Sequence, residues 1–133
     1  MADFEITVKR NGHSGTMTFA SGDLSVSTRC WWDLKVEIDA KSDGYVCYAT
    51  RLANKRDSET GEKRPGIWFG KNVKYAHGTK SSNEIFIHEG SDASWSDGCI
   101  VAKRGEVMKI WNAINPKERP NVLVKVIDED AKA

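Results

Sequence analysis

The chain has 133 residues, of which 39% are hydrophobic and 29% charged, with 20 basic residues against 19 acidic ones. This length and composition favour one globular domain with its own core, and they exclude a disordered chain. A net charge of +1 provides no basic surface of the kind that binds nucleic acid. No apolar run reaches the length of about 18 residues that predicts a membrane span.

The N-terminal segment MADFEITVKR lacks the basic stretch and apolar stretch that together form a secretory signal. We therefore expect synthesis in the cytoplasm without a signal peptide. Cys30, Cys47 and Cys99 are an odd number of cysteines without a close pairing pattern, which argues against a disulfide framework. The histidines lack the spacing of a zinc site, so we expect no metal and no cofactor.

The first half of the chain reads as β-strands. Alternating apolar and polar residues over 4–10 predict a strand, Asn11-Gly12 predicts a hairpin turn, and TMTFA returns as a second strand. The stretch 20–32 contains a turn and is otherwise ambiguous. DLKVEIDA, with apolar residues at every second position, predicts a further strand, and YVCYATRL predicts a central one.

The second half combines strands with one helix. Residues 54–66 are charged and turn-rich, which predicts a long exposed loop, either simply solvated or acting as a lid. EIFIH and NVLVKVID predict strands. Between Ile100 and Ile114, the apolar residues recur with the period of an amphipathic helix that Pro116 ends. With seven to nine expected strands, residues 1–133 form a single β-rich α+β domain.

Cys99 admits two interpretations. A lone cysteine is usually a small buried core residue. Here the cysteine follows a Ser-Asp-Gly turn and precedes the predicted helix, whose N-terminus would lower the pKa of the thiol. Gly98 would allow a close backbone approach, and the amides of Gly98 and Cys99 could then stabilise an oxyanion.

His88 is the candidate base for a cysteine nucleophile. It follows the predicted strand EIFI directly, and a strand end fixes the backbone of a catalytic side chain. A nucleophilic thiol needs such a base within hydrogen-bond reach, and the base needs a partner that orients it. Because the histidine precedes the cysteine, the chain order differs from that of papain-like proteases. His77 is the alternative base.

Two segments resemble the active-site signature of the L,D-transpeptidase (YkuD-type) superfamily. In that signature, a strand ending in Ile-His precedes a loop and then Ser/Thr-x-Gly-Cys-Ile/Val, and the chain offers Ile87-His88 and Ser96-Asp97-Gly98-Cys99-Ile100. The upstream stretch RPGIWFG resembles the Thr-Pro-x-Gly-x-Phe segment of the family. The resemblance extends over residues 45–104. Asp97 stands where the family usually has histidine, and Ala102 follows where arginine or asparagine is common.

The resemblance implies both a fold and a reaction. The fold would be an L,D-transpeptidase-like β-sandwich or barrel with one main helix after the catalytic cysteine. Cys99 would attack a diamino-acid carbonyl in a peptidoglycan stem peptide, with His88 as general base oriented by the Glu89 carbonyl. Gly98 would contribute to the oxyanion hole. The substrate-binding residues would be Trp68, Tyr75, Trp95, Ser96 and Asp97.

The resemblance is greatest to small leaderless relatives in phage genes and among secreted antibacterial effectors. Such a protein would act in the periplasm or cell wall after delivery or release. Its partners would be stem peptides, together with an immunity protein or a secretion or virion component, but not nucleic acid. Transpeptidation and L,D-carboxypeptidase hydrolysis both remain open. The rival hypotheses are a non-catalytic structural or binding domain and a cysteine peptidase that acts on protein.

Overall fold

The structure is a computed structural model that describes residues 3–12, 14–91, 95 and 98–129. Within these ranges it contains one α-helix, α1 (Arg104–Ala113), one 3-10 helix, η1 (Leu34–Val36), and ten β-strands. The strands are β1 (Phe4–Asn11), β2 (Ser14–Ser21), β3 (Leu24–Trp31), β4 (Lys41–Arg56), β5 (Lys63–Trp68), β6 (Val73–Lys74), β7 (Ser81–Ser82), β8 (Phe86–Glu89), β9 (Ile100–Ala102) and β10 (Val122–Asp128). Neither helix in these ranges is long and apolar enough to cross a membrane.

Eight of the strands form a closed barrel in the order β1-β10-β4-β5-β8-β9-β3-β2, with β2 pairing back to β1. Two of its seams are parallel, between β1 and β10 and between β8 and β9. The strands β6 and β7 form a separate two-stranded sheet. The prediction of a β-rich α+β domain is therefore confirmed.

The core forms because alternate strand residues are apolar and point into the barrel. Ile6 and Val8 of β1 are fully buried, as the alternation predicts, and so are Val122 and Val124 of β10. Each such side chain contributes about 1.5–3 kcal/mol of hydrophobic stabilisation. Helix α1 adds the predicted residues Val107 and Ile110 to this core, and Ile114, directly after the helix, is also part of it. The fourth predicted apolar residue, Trp111, is half-buried, and its indole N–H donates to the Thr50 carbonyl at 2.8 Å.

The strand predicted for residues 33–40 is wrong. Residues Leu34–Val36 form η1 instead, because the Asp33 side chain accepts the Lys35 backbone N–H at 2.9 Å and so caps a helical turn. Leu34, expected on an apolar face, is 42% exposed. Only Ile38 behaves as predicted, being buried and joined to Tyr75 by an isolated bridge.

Two further boundaries differ from the predictions. The long exposed loop at 54–66 is reduced to a connection over 57–62, because β4 runs on to Arg56 and β5 begins at Lys63. The helix predicted from Ile100 begins at Arg104, because Ile100–Ala102 form β9 beside β8. The apolar residues Ile100 and Val101, which fit a buried parallel strand, precede the helix. Hydrophobic periodicity alone does not show where the strand ends and the helix begins.

A buried arginine links the parallel seam of β1 and β10 to the η1 region. The Arg10 side chain, 2% exposed, donates from Nε to Asp128 Oδ1 at 2.6 Å and from Nη2 to Oδ2 at 3.0 Å. Its Nη1 donates to the Ile38 carbonyl at 2.7 Å. The guanidinium also lies 5.7 Å from the Trp32 ring centroid. These contacts compensate the cost of burying the charge.

Substitution of this arginine tests its contribution to stability. We expect Arg10→Met to lower the free energy of unfolding by about 3 kcal/mol, since it leaves the buried Ile38 carbonyl without its donor. Urea denaturation provides the measurement. The neighbouring Lys9→Met removes the same charge from an exposed side chain and should change stability by no more than about 0.5 kcal/mol. Equal effects of the two substitutions would contradict this account.

Candidate active site

The parallel pairing of β8 and β9 brings the two predicted catalytic residues onto one face of the barrel wall. Ile87 pairs with Ile100 and His88 with Val101, so Cys99, two residues before Val101, is the diagonal neighbour of His88. Ile87 and Ile100 belong to the core cluster. The side chains of His88 and Cys99 therefore lie on the outer face of the same two strands.

A cleft with a volume of about 1090 Å³ lies over this face. Both His88 and Cys99 line it, as do the predicted substrate-binding residues Trp68, Tyr75 and Trp95. The rest of the lining is polar in large part and comes from β4, β5 and the segments around β7 and β10: Thr50, Arg51, Leu52, Ala53, Asn54, Lys55, Arg64, Ser82, Asn83, Glu84, Phe86 and Glu118. The structure thus brings the predicted pair of His88 and Cys99 into one cleft with the aromatic residues that the sequence analysis singles out.

The His88 ring is held in one orientation. Its side chain is buried, and Nδ1 lies 2.7 Å from the Glu89 carbonyl oxygen, so Nδ1–H donates to that carbonyl. This is the contact that the resemblance implies. The other ring nitrogen, Nε2, is then the unprotonated one and can accept a proton. Burial lowers the pKa of His88, with Arg64 and Lys55 acting in the same direction against the effect of Glu89. The imidazole is therefore neutral at pH 7, as a base must be.

Cys99 is 7% exposed and contacts the backbone on both sides of Ile85. Its sulfur accepts the Phe86 N–H at 3.4 Å, and the thiol donates to the Glu84 carbonyl at 3.6 Å. The N–H directed at the sulfur favours the thiolate, whereas donation to the Glu84 carbonyl favours the protonated thiol. The expectation that a helix N-terminus activates the thiol is wrong, because β9 separates Cys99 from the start of α1 at Arg104.

Gly98 occupies a position that only glycine fits. Its φ is +98°, in the left-handed region, and a Cβ there would lie 2.9 Å from Ile85 Cδ1 and 3.0 Å from Tyr75 Cε1. The close approach of the Tyr75 ring places Gly98 against the cleft wall. The role of Gly98 in an oxyanion hole remains a prediction.

Glu89 has two separate functions in this arrangement. While its carbonyl orients His88, its carboxylate accepts the Ser58 N–H at 2.8 Å and the Ser58 hydroxyl at 2.7 Å. Arg64 Nε lies 3.5 Å from the same carboxylate, and Arg104 Nε lies 3.8 Å from it. The side chain is 7% exposed. A buried carboxylate held by two hydrogen bonds from Ser58 and by two nearby guanidinium groups fixes the backbone that orients the histidine.

Arg104 and Asp57 complete this buried network. The guanidinium of Arg104, at the start of α1, donates from Nε and Nη2 to the two Asp57 oxygens at 2.9 Å each. The hydrogen bond from Arg104 is the main cause of a lowered pKa of Asp57, about 2. Asp57 also caps its own turn by accepting the Glu59 N–H at 2.8 Å. The connection 57–62, expected to be solvated or a lid, is thus fixed to α1 and to Glu89.

The aromatic residues form two parts of the cleft wall. Trp68 donates its indole N–H to the Asn83 carbonyl at 2.8 Å and contacts the Tyr48 ring with a centroid distance of 5.5 Å. Trp95 is 40% exposed, and the Arg64 guanidinium carbon lies 5.3 Å from its ring centroid. The exposed Trp95 ring beside the cleft is suited to contact a ligand.

Other predicted residues fall outside this arrangement. Ser96 and Asp97, predicted to bind substrate, lie outside the described residues. The alternative base His77 does not line the cleft, and its Nε2 lies 3.0 Å from Glu37 Oε1 on an exposed surface. Of the two histidines that the structure describes, His88 is therefore the one that lines the same cleft as Cys99.

Several site residues were not anticipated from the sequence. Asp57, Ser58 and Arg64 belong to the stretch that its composition assigns to a solvated loop. Asp57 and Arg104 are 47 residues apart, so no local pattern connects them. The contact of the Phe86 N–H with the thiol involves backbone and has no sequence signal at all.

Comparison of the chain with protein-family models, with curated proteins and with solved structures gave no significant match. The resemblance to L,D-transpeptidases accordingly depends on the motif and on the site geometry. In the described ranges, no group of three or more His, Cys, Asp or Glu side chains could hold a metal ion.

The lowered pKa of His88 makes stability depend on pH. The unfolded chain takes up this proton near pH 6.5, whereas the folded chain takes it up only at lower pH. Between the pKa of His88 in the folded chain and that in the unfolded chain, the unfolded state binds more protons. The free energy of unfolding should therefore fall as the pH is lowered from one pKa to the other. Histidine NMR titration should show His88 titrating below 6.5. His88→Gln should weaken the pH dependence, and an unchanged slope would contradict the assignment.

The network behind Glu89 provides a second test. We expect Asp57→Asn to lower the free energy of unfolding by about 2 kcal/mol, since Arg104 then loses its bidentate carboxylate partner. Because Ser58 follows in the same turn, the NMR signals of the His88 ring should shift as well. Glu62→Gln, which alters an exposed carboxylate in the same connection, should change stability by no more than about 0.5 kcal/mol. A shift of the His88 signals in that control alone would be evidence against the network.

Proposed function

We propose that the protein is a cysteine acyltransferase or hydrolase of the L,D-transpeptidase type that acts on peptidoglycan stem peptides. The observation that carries the proposal is the joint placement of His88 and Cys99 in one cleft, with the histidine oriented by the Glu89 carbonyl. A thiol, a neutral imidazole and a group that orients the imidazole are the parts that acyl transfer through a thioester requires.

In the first half of the proposed reaction, the thiol proton moves to His88 Nε2 and the sulfur attacks the diamino-acid carbonyl carbon. An S–C bond forms, and the C–N bond to the terminal D-residue breaks. His88 returns the proton to the departing nitrogen, which leaves as an amine. The Phe86 N–H, 3.4 Å from the sulfur, stabilises the thiolate before the attack.

In the second half, an acceptor nucleophile attacks the thioester and loses its proton to His88. The S–C bond breaks, and the proton returns to the sulfur. An amine of a second stem peptide gives a cross-link, whereas water gives a shortened stem. The cleft volume of about 1090 Å³ lies slightly above the usual range for ligand sites, about 300–1000 Å³, and is compatible with a peptide of several residues.

The substrate class is supported by the motif that surrounds these residues. Ile87-His88 and Gly98-Cys99-Ile100 match the signature of the superfamily residue by residue. The Gly98 φ of +98° and its contact with Tyr75 give a physical reason for the glycine in that signature. The cell wall as the site of action, and delivery as an effector or phage product, follow from the same resemblance and are part of the proposal.

Incubation with tetrapeptide-containing muropeptides should release D-alanine or form exchange products, and Cys99→Ala should abolish both. Liquid chromatography with mass detection measures the products. His88→Gln should lower kcat by at least about a hundredfold, because it removes the general base. Cys47→Ala is the matched control, since Cys47 is buried in the barrel core and does not line the cleft.

Thiol labelling separates this proposal from a non-catalytic binding domain. At about pH 6, iodoacetamide should label Cys99 much faster than the other two cysteines, because a thiolate is the reactive form. Burial raises the pKa of Cys30 to about 12 and also raises that of Cys47. Equal, slow labelling of all three cysteines, together with wild-type and Cys99→Ala proteins that behave alike, would favour the binding domain.

A further inference from the structure

Two cations lie on the cleft wall beside His88. Lys55 of β4 and Arg64 of β5 both line the cleft, and both act electrostatically on the histidine. Gly66 pairs with His88 across β5 and β8, so Arg64, two residues before Gly66, is the diagonal neighbour of the histidine. The two charges are therefore adjacent to the residue that protonates the leaving group.

Arg64 keeps part of its hydrogen-bonding capacity for a ligand. Its Nε donates to the Arg56 carbonyl at 3.0 Å and lies 3.5 Å from Glu89 Oε1. Its terminal nitrogens donate to no residue that the structure describes, and its guanidinium rests over the Trp95 ring. A guanidinium fixed at Nε and supported by an aromatic ring presents its terminal N–H groups in a defined orientation.

The cleft wall beside His88 carries two cationic side chains, while the nearby carboxylates lie behind it. Asp57 and Glu59 are paired with Arg104, at 2.9 Å and 3.1 Å. This leaves Glu89 as the carboxylate near Arg64, while Lys55, which is exposed, forms no ion pair with a described residue. The other carboxylates on the cleft, Glu84 and Glu118, belong to different segments, before β8 and before β10. The carboxylates of Asp57, Glu59 and Glu89 do not line the cleft. The β4–β5 wall therefore presents the positive charges of Lys55 and Arg64 to the cleft.

We infer that Lys55 and Arg64 form a subsite for a carboxylate, which selects acyl donors whose leaving residue carries a free C-terminal carboxyl group. The inference rests on the proposed function for the identity of the donor. A terminal residue that leaves as an amine carries its carboxylate one carbon from the departing nitrogen. With that nitrogen at His88, the carboxylate lies beside the two cations. The subsite makes the enzyme exo-acting, with stem peptides that end in a free D-residue preferred over those in which this residue is amidated or cross-linked.

The test compares one stem tetrapeptide as its C-terminal acid and as its C-terminal amide. Wild-type protein should process the acid with a kcat/KM about tenfold higher than the amide, as expected for a charge-assisted contact in a partly buried site. Lys55→Met and Arg64→Gln should each reduce this acid-to-amide ratio. Lys9→Met, an exposed lysine on β1 that does not line the cleft, should leave the ratio unchanged.

A binding measurement makes the subsite testable without turnover. In the Cys99→Ala background, calorimetry should give a lower Kd for the acid than for the amide, and Lys55→Met should remove most of the difference. Turnover with no preference for the acid would overturn the subsite and leave the proposed function standing. Preferential binding of the acid without wild-type turnover would support the subsite and overturn the proposed function. If the protein neither binds nor turns over the peptides, both the subsite and the proposed function are overturned.

Discussion

The parallel pairing of β8 with β9 is the constraint on which the site depends. It closes the barrel between β5 and β3, and it sets Ile87 opposite Ile100. A shift of one residue would place Cys99 in the core and expose Ile100. The two isoleucines are buried inside the barrel, so the hydrophobic effect that stabilises the fold also fixes the relative position of the thiol and the imidazole.

Behind the cleft, a buried set of charges keeps the histidine in place. Glu89 is the central residue, because its carbonyl receives the His88 N–H and its carboxylate binds Ser58. Arg104 attaches the same set to α1 through Asp57. Burying such charges has a high desolvation cost. The network contributes by fixing the orientation of the His88 ring, which stays neutral with one nitrogen directed away from the carbonyl.

The sequence was informative where the local pattern and the tertiary environment agree. Ile6 and Val8 occupy alternate positions because one face of β1 faces the core. His88 and Cys99 could be identified because one follows an apolar strand segment and the other follows a glycine. Prediction failed where local or distant contacts compete with the pattern. Asp33 caps a helical turn within an alternating stretch. The partners Asp57 and Arg104 lie in segments with no shared periodicity, so their pairing requires the fold.

The parallel seam between β1 and β10 has a consequence for how the chain reaches this structure. The Arg10–Asp128 contact spans 118 residues of sequence, whereas the cleft residues come from the central part of the chain. Closing so long a loop carries a large entropic cost before the contacts can compensate for it. Barrels rich in such distant pairings fold on the slow scale of about milliseconds to seconds. Bringing the cleft segments together therefore closes shorter loops than pairing β1 with β10, which closes the barrel.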